Sequence, residues 1–230
     1  MSNPQLIASD EALQPLLHTW SARPSLALDT DFVRVDTYYP KRCLVQVGDG
    51  DSSVCIDTLA LRDLTPLLDL LRRADILKVF HAASQDLEIF VELGGSCPSP
   101  LFDTQLAATL LGLGDQIGYA GLVEKKLGIV LDKSLTRTDW SRRPLTAPEL
   151  AYAAADVEHL ATIYPMLRDE LAQAGRLTWL EQDCARAAEP ANYRTEPADA
   201  WRRLKGLARL NPQAQTVAAA LVLPLTNADR

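Results

Sequence analysis

The chain has 230 residues, enough for one well-buried domain of about 190 residues with something short appended. Its 47% hydrophobic and 23% charged content is that of an ordinary folded protein, and a net charge of −7 excludes one that coats nucleic acid through a broad basic surface. The longest apolar stretch, near Val217 to Leu225, is too short and proline-broken to span a bilayer, and no basic and apolar leader opens the chain, so a cytoplasmic protein is expected. Cys43, Cys55, Cys97 and Cys184 have no C-x-x-C spacing. They predict neither a zinc site nor a disulfide framework, and they fit a reducing compartment as core filler.

In chain order, Ser9-Asp10 caps a first predicted helix whose Leu13, Leu16, Leu17 and Trp20 recur at helical spacing, and Pro24 ends it. Leu26-Ala27-Leu28-Asp29-Thr30-Asp31-Phe32 reads as a buried central strand. Two more strands, Cys43 to Val47 and Val54 to Ile56, flank Gly48-Asp49-Gly50-Asp51, a hairpin signal. A helix is predicted from Leu64 to Leu71, a short buried strand from Ile76 to Phe80, and a helix from about Ser84 to Leu93 that stops at Gly94-Gly95. After Leu101-Phe102, helices follow almost without a break, beginning with Asp103 to Leu111. Gly112 to Gly118 has the wrong spacing and setting for a dinucleotide fingerprint. Thr146-Ala147-Pro148-Glu149 is a capping box. The helix it opens carries an apolar stripe from Leu150 to Leu171, with a kink expected from Pro165 and an end at Gly175. Strands first, then alternation, then helices predict an α/β layer fold around a mixed sheet.

Period-2 alternation turns Asp29 and Asp31 to one side of the central strand, at the mouth of a core, with no Lys or Arg in the run. Burying two like charges costs several kcal/mol each unless a cation compensates, and a divalent ion is the economical answer. Taken alone, the pair also reads as a strand end meeting solvent. Tyr152 and Asp156, four residues apart, share one helix face, which by itself is also the pattern of a core Tyr bonded to a neighbouring Asp. Asp86 falls in the first turn of a helix with Ser84 as its N-cap, where the helix dipole favours negative charge. Four acidic residues at the edges of buried elements are harder to explain as four coincidences.

The order Asp29-x-Asp31, Asp86, Tyr152-x-x-x-Asp156 resembles the three exonuclease motifs of the DEDD superfamily in its tyrosine form. The surrounding words Asp29 to Arg34, Thr37-Tyr38-Tyr39-Pro40, His81 to Leu87, Phe102 to Gln105 and Tyr152 to Val157 are similar to the ribonuclease D family over roughly residues 5 to 190. The histidine branch would place its base five residues before the last Asp, where this chain has Ala151.

The resemblance implies a ribonuclease H-like fold, with a five-stranded mixed sheet flanked by helices and a helical C-terminal tail. It also implies 3′-to-5′ removal of nucleoside 5′-monophosphates from RNA, notably transfer-RNA precursors. Two divalent cations, Mg²⁺ or Mn²⁺, would be held by Asp29, Asp31, Asp86 and Asp156, with Asp29 bridging and Tyr152 orienting the attacking water. Phe32, Tyr38 and Tyr39 are candidate base platforms, with a core role equally open for Tyr38 and Tyr39, His81 a group that packs or hydrogen-bonds beneath the site, and Lys133, Arg137, Arg142 and Arg143 candidate phosphate contacts. The exonuclease domain is expected over 1–190. A linker and partial helical segment over 191–230 would follow, in which Ala200 to Leu207 resembles the opening of a helicase-and-RNase-D C-terminal domain. No membrane partner is expected, and the oligomeric state stays open with a monomer favoured. One departure stands out: the family's first motif is Asp-x-Glu, and Asp31 is one methylene shorter. Two alternatives therefore remain, a DNA-directed 3′-5′ exonuclease and a nuclease-fold RNA-binding protein weakened in catalysis at Asp31.

Overall fold

Alternation and β-branching lay six strands into one mixed sheet, in a computed structural model that describes residues 4–34, 40–132, 134–136, 138–194, 201 and 206–228, apart from the side chains of residue 208 and of 222–228. The strands are β1 (Gln5–Ile7), β2 (Ser25–Val33), β3 (Lys41–Gly48), β4 (Ser53–Asp57), β5 (Leu77–Phe80) and β6 (Leu101–Asp103). Their spatial order is β1-β4-β3-β2-β5-β6. β2, β3 and β4 form an antiparallel meander, whereas β1 runs parallel to β4 and both β5 and β6 join in parallel. The sheet thus has one strand more than the five expected. β1, three residues long, is too short to show a period-2 pattern of its own.

Helices α1 (Asp10–Trp20), α2 (Thr65–Leu71), α3 (Ser84–Gly94), α4 (Thr104–Leu110), α5 (Tyr119–Leu127), α6 (Ala147–Gln173) and α7 (Leu177–Ala187) complete the layers, and α8 (Pro212–Ala228) follows. Ser9 caps α1 by accepting from the Ala12 N–H at 3.3 Å. At α6 the capping box is present in both directions: Thr146 Oγ1 accepts from the Glu149 N–H, and Glu149 Oε2 accepts from the Thr146 N–H at 2.7 Å. α6 continues through Pro165 as one helix. α3 begins differently from the reading in which Ser84 caps it. Ala83 holds the N-cap position without a side-chain bond, and the Asp103 carboxylate, at the end of β6, accepts from the N–H groups of Ala82 and Ala83 at 3.1 and 2.9 Å. The same carboxylate caps α4 through Gln105 and Leu106. One side chain therefore serves two helix starts, a long-range arrangement that local pattern does not encode.

Two apolar clusters hold the layers together. The larger joins β2, β4 and β5 to α1, α2, α3 and α6, while Cys43, Leu44, Cys55, Trp140, Leu145, Ala153 and Ala154 form a second beneath α6. Small side chains let α6 lie close to the sheet. A Cβ at Gly48 would sit 2.8 Å from the Val157 carbonyl oxygen. Lys78, fully buried in β5, donates from Nζ to the carbonyls of Arg73, Ile76 and Ser99, and burial lowers it to about 8. Among the described residues no helix is long and apolar enough to cross a membrane.

Candidate active site

β2 and β5 run side by side only from Ser25 to Ala27, so β2 continues toward Val33 paired with β3 alone. This opening at the end of β5 is where the acidic residues gather. A cavity of about 160 Å³ there is lined by Asp29, His81, Tyr119, Tyr152, Asp156 and Leu160. Residues from β2, the β5–α3 connection, α5 and α6 meet in it, separated by as many as 131 positions but joined by the layer packing.

The four carboxylates act on one another. Burial raises Asp29 to about 6, and burial together with the charge of Asp29 raises Asp156 to about 8. Asp31 is pushed well above the usual carboxylate range by burial, then by Asp29 and Asp156; Asp86 is raised well above it by burial and by Asp29. Among the described residues, none of the charges that shift these four belongs to a Lys or Arg. Neutral donors hold two of them in place: Thr30 Oγ1 donates to Asp86 Oδ1 at 2.6 Å, and Gln46 Nε2 donates to Asp31 Oδ2 at 2.5 Å.

Buried, mutually repelling oxygen donors suit a hard divalent cation, whose charge would remove the repulsion that raises them. Among the described residues no three acidic, His or Cys side chains already converge as ligands of a single ion. Asp31 and Asp86 each have one oxygen engaged by Gln46 or Thr30. The donor set therefore fits a divalent metal.

Tyr152 lies one helical turn before Asp156 on α6. Burial raises its phenol, as do Asp156, Asp31 and Asp29, against a side-chain hydrogen bond with Thr136. His81 is anchored from below. Thr104 Oγ1 donates to the Phe80 carbonyl at 3.0 Å and so accepts from His81 Nδ1, also at 3.0 Å, while burial lowers the ring's basicity. Ala82, next along the chain, takes a left-handed φ of 56°, a conformation costly for a side chain with a Cβ and held here by Asp103.

Of the other residues expected at the site, Phe32 is half-buried near the end of β2, past a bulge at which Asp31 faces Leu44 and Phe32 faces Arg42, leaving Cys43 as the extra residue. Arg142 pairs with Glu149 at 2.6 Å. Arg143 turns inward and donates to both oxygens of Asp57, at 2.6 and 2.7 Å. Tyr38, Tyr39, Lys133 and Arg137 lie outside the described residues. The sequence reading did not single out Thr30, Gln46, Tyr119 or Asp103. Tyr119 donates its hydroxyl to the Asp156 carbonyl and stands edge-on to His81, with ring centroids 5.5 Å apart. Asp103 and Thr30 had a signal, in the words Phe102-Asp103-Thr104-Gln105 and Asp29 to Arg34; Gln46 and Tyr119 become partners only through strand register and helix docking.

A family model described as 3′-5′ exonuclease matches residues 4–172, a span that includes all four carboxylates and Tyr152. Ribonuclease D of Zymomonas mobilis is 48% identical over 202 residues, covering 87% of this chain and 52% of that protein. Among solved structures, Escherichia coli RNase D, described as an exoribonuclease involved in structured RNA processing, matches with a TM-score of 0.90 at 38% identity, over 99% of this chain and 62% of that one. Brucella melitensis NrnC with bound Mg²⁺ shares the fold, with a TM-score of 0.70 at 23% identity over 92% of this chain and 98% of that one. The chain spans about half the length of the curated relatives it matches. On the family model and these relatives, the chain belongs to the 3′-5′ exonuclease family, and its likeness within the family is to ribonuclease D.

Proposed function

We propose that this chain is the nuclease part of a divalent-metal-dependent 3′-5′ exoribonuclease that releases nucleoside 5′-monophosphates from RNA 3′ ends, transfer-RNA precursors among them. The observation that carries this reading is a set of four buried carboxylates whose charges raise one another, two of which, Asp29 and Asp156, line one cavity with Tyr152. Asp29, Asp31, Asp86 and Asp156 would hold two ions, Mg²⁺ or Mn²⁺, which when bound neutralise charge at the scissile phosphate and acidify a water. Tyr152, raised above its ordinary value, stays protonated at neutral pH and offers its O–H to orient the attacking water. Tyr119 holds the backbone at Asp156, and Leu160 forms part of the cavity wall.

RNA as the substrate class is supported by the curated relatives being named ribonuclease D. Phe32 is proposed as a base platform and the exposed Arg142 as a phosphate contact, beside Tyr38, Tyr39, Lys133 and Arg137. Residues 1–190 form the nuclease unit in this reading, with 191–230 a linker and an RNA-gripping helical segment. Four buried, unpaired thiols support a reducing compartment such as the cytoplasm.

The test is digestion of 5′-labelled RNA and DNA of matched sequence with Mn²⁺ or EDTA. A ladder shortening from the RNA 3′ end, mononucleotide product and silence in EDTA are expected. Internal fragments, or turnover in EDTA, would refute it, and faster digestion of DNA would move the reading to a DNA-directed exonuclease.

A further inference from the structure

Tyr152 is backed by an indole. The Trp140 ring stacks on it at 6.3 Å between centroids and 28° between planes, and Trp140 is 5% exposed, packed with Cys43, Cys55 and Ala153. Trp140 belongs to the loop that precedes α6, and one guanidinium ties that loop to the sheet. Arg143 Nη1 donates to the Trp140 carbonyl at 2.7 Å. Its Nε and Nη2 form the two-pronged pair with Asp57, the last residue of β4, and Nη2 also reaches the carbonyl of Cys43, the bulge residue of β3, at 3.0 Å. A planar fork with this many fixed partners is a geometry that lysine cannot reproduce. On the α6 side, Arg142 holds Glu149, the capping residue of the helix that carries Tyr152.

Resting on the function proposed above, we propose that Trp140 is a positioning residue for Tyr152, held in place by an Arg143–Asp57 bracket. The work of this stretch of loop is to fix the phenol beside Asp156, and Arg143 serves that role in place of contacting RNA. A tyrosine near a helix start has more than one staggered χ1 well. An indole wall removes that freedom before substrate arrives, and the loss of such pre-organisation falls on turnover more than on binding.

Four variants test this, measured as kcat and KM on a single-stranded RNA with Mn²⁺: Trp140→Phe, Trp140→Leu, Arg143→Lys and Tyr152→Phe. Trp140→Phe keeps an aromatic wall and should stay within about threefold of the parent. Trp140→Leu should lower kcat roughly 10- to 100-fold with KM within about twofold, the scale expected of a misplaced catalytic group. In a Tyr152→Phe background the same change should cost nothing further. A readout independent of turnover is the ¹⁹F resonance of 3-fluorotyrosine at position 152, assigned by its absence in Tyr152→Phe. It should shift and change width in Trp140→Leu and Arg143→Lys, and hold in Trp140→Phe. Should Trp140→Leu fail to fold by circular dichroism, Arg143→Lys carries the same kcat and ¹⁹F expectations. Parent-like kcat and ¹⁹F signal in a folded variant lacking the stack or the fork would overturn the proposal while leaving the nuclease reading intact. So would a rise in KM alone, which would return the loop to RNA contact. Parent-like kcat in Tyr152→Phe would instead overturn the catalytic reading of Tyr152 itself.

Discussion

Gln46 stands directly opposite Asp29 across the β2–β3 ladder, yet its amide Nε2 reaches diagonally to Asp31 Oδ2 at 2.5 Å. That donor is a neutral group lowering the charge cost of the most crowded carboxylate, which burial, Asp29 and Asp156 all push upward. Gln46 is fully buried, and its Oε1 has no hydrogen-bond partner among the described residues, so the side chain is poorly satisfied where it sits.

Gln46→Leu should lower both stability and activity. It removes the orphaned oxygen but leaves Asp31 Oδ2 without its donor, at a cost of about 1 to 3 kcal/mol, and kcat should fall roughly tenfold as Asp31 loses its orientation. Urea melts in EDTA and turnover in Mn²⁺ measure the two effects. A variant that is strongly destabilised but turns over normally would make Gln46 a purely structural residue.

Gly48→Ala should act through α6. The new Cβ would lie 2.8 Å from the Val157 carbonyl oxygen and 3.1 Å from the Val157 Cβ, and helix backbone at that range cannot yield without moving. We expect a loss of about 1 to 3 kcal/mol, the usual cost of overpacking. Activity should drop too, because Tyr152 and Asp156 precede Val157 on the same helix. Denaturant unfolding with a parallel activity assay decides. An unchanged midpoint would show that the helix and sheet separate more readily than the contact implies.

Without metal, stability should fall as pH rises. Asp29 at about 6 and Asp156 at about 8 are raised from an ordinary 3.8, so between those values the folded state binds more protons than the unfolded chain. The stabilisation is complete below about pH 4 and is lost as pH climbs through 6 and 8. Melting midpoints in EDTA from pH 5 to 9 should decline for the parent and decline less for Asp156→Asn. Saturating Mn²⁺ should flatten the parent's slope and raise its midpoint, since an ion at a hundredfold excess over Kd adds about 2.7 kcal/mol. Identical slopes for parent and Asp156→Asn would mean that Asp156 is not a raised acid.

Asp31→Glu places one more methylene where Gln46 Nε2 now donates to the Asp31 carboxylate. Mg²⁺ demands near-ideal octahedral geometry, so the family's Glu should raise activity in Mg²⁺ only if Gln46 withdraws. Asp31→Glu combined with Gln46→Ala should then outperform Asp31→Glu alone. Asp31→Asn should abolish turnover with either ion. Near-full activity of Asp31→Asn would remove Asp31 from the ligand set.

Much of the scaffold was legible because its signals are local. The N-cap at Ser9, the capping box at Thr146, the hairpin at Gly48 to Asp51 and the alternating run of β2 depend on residues within a turn or a strand of one another, and the structure has each of them. The short edge strand β1 and the start of α3 were not, because the first carries too little pattern and the second is capped by Asp103 from another strand. Lys78, a charge in the middle of a strand, reads as exposed by type, yet it is buried on three backbone carbonyls contributed by two loops.

By itself the sequence singled out the candidates for the chemistry. Asp29, Asp31, Asp86, Tyr152 and Asp156 are recognisable by type and spacing, since alternation and helical period set which side chains share a face. Only the tertiary structure decided who their partners are. The end of β5, the register that brings Gln46 to Asp31, the docking of α6 on Gly48 and the inward turn of Arg143 onto Asp57 all follow from packing between segments far apart in the chain. Burial and mutual repulsion, which shift the carboxylates, exist only once those segments meet, because charge coupling depends on distance in space and on the water excluded between them.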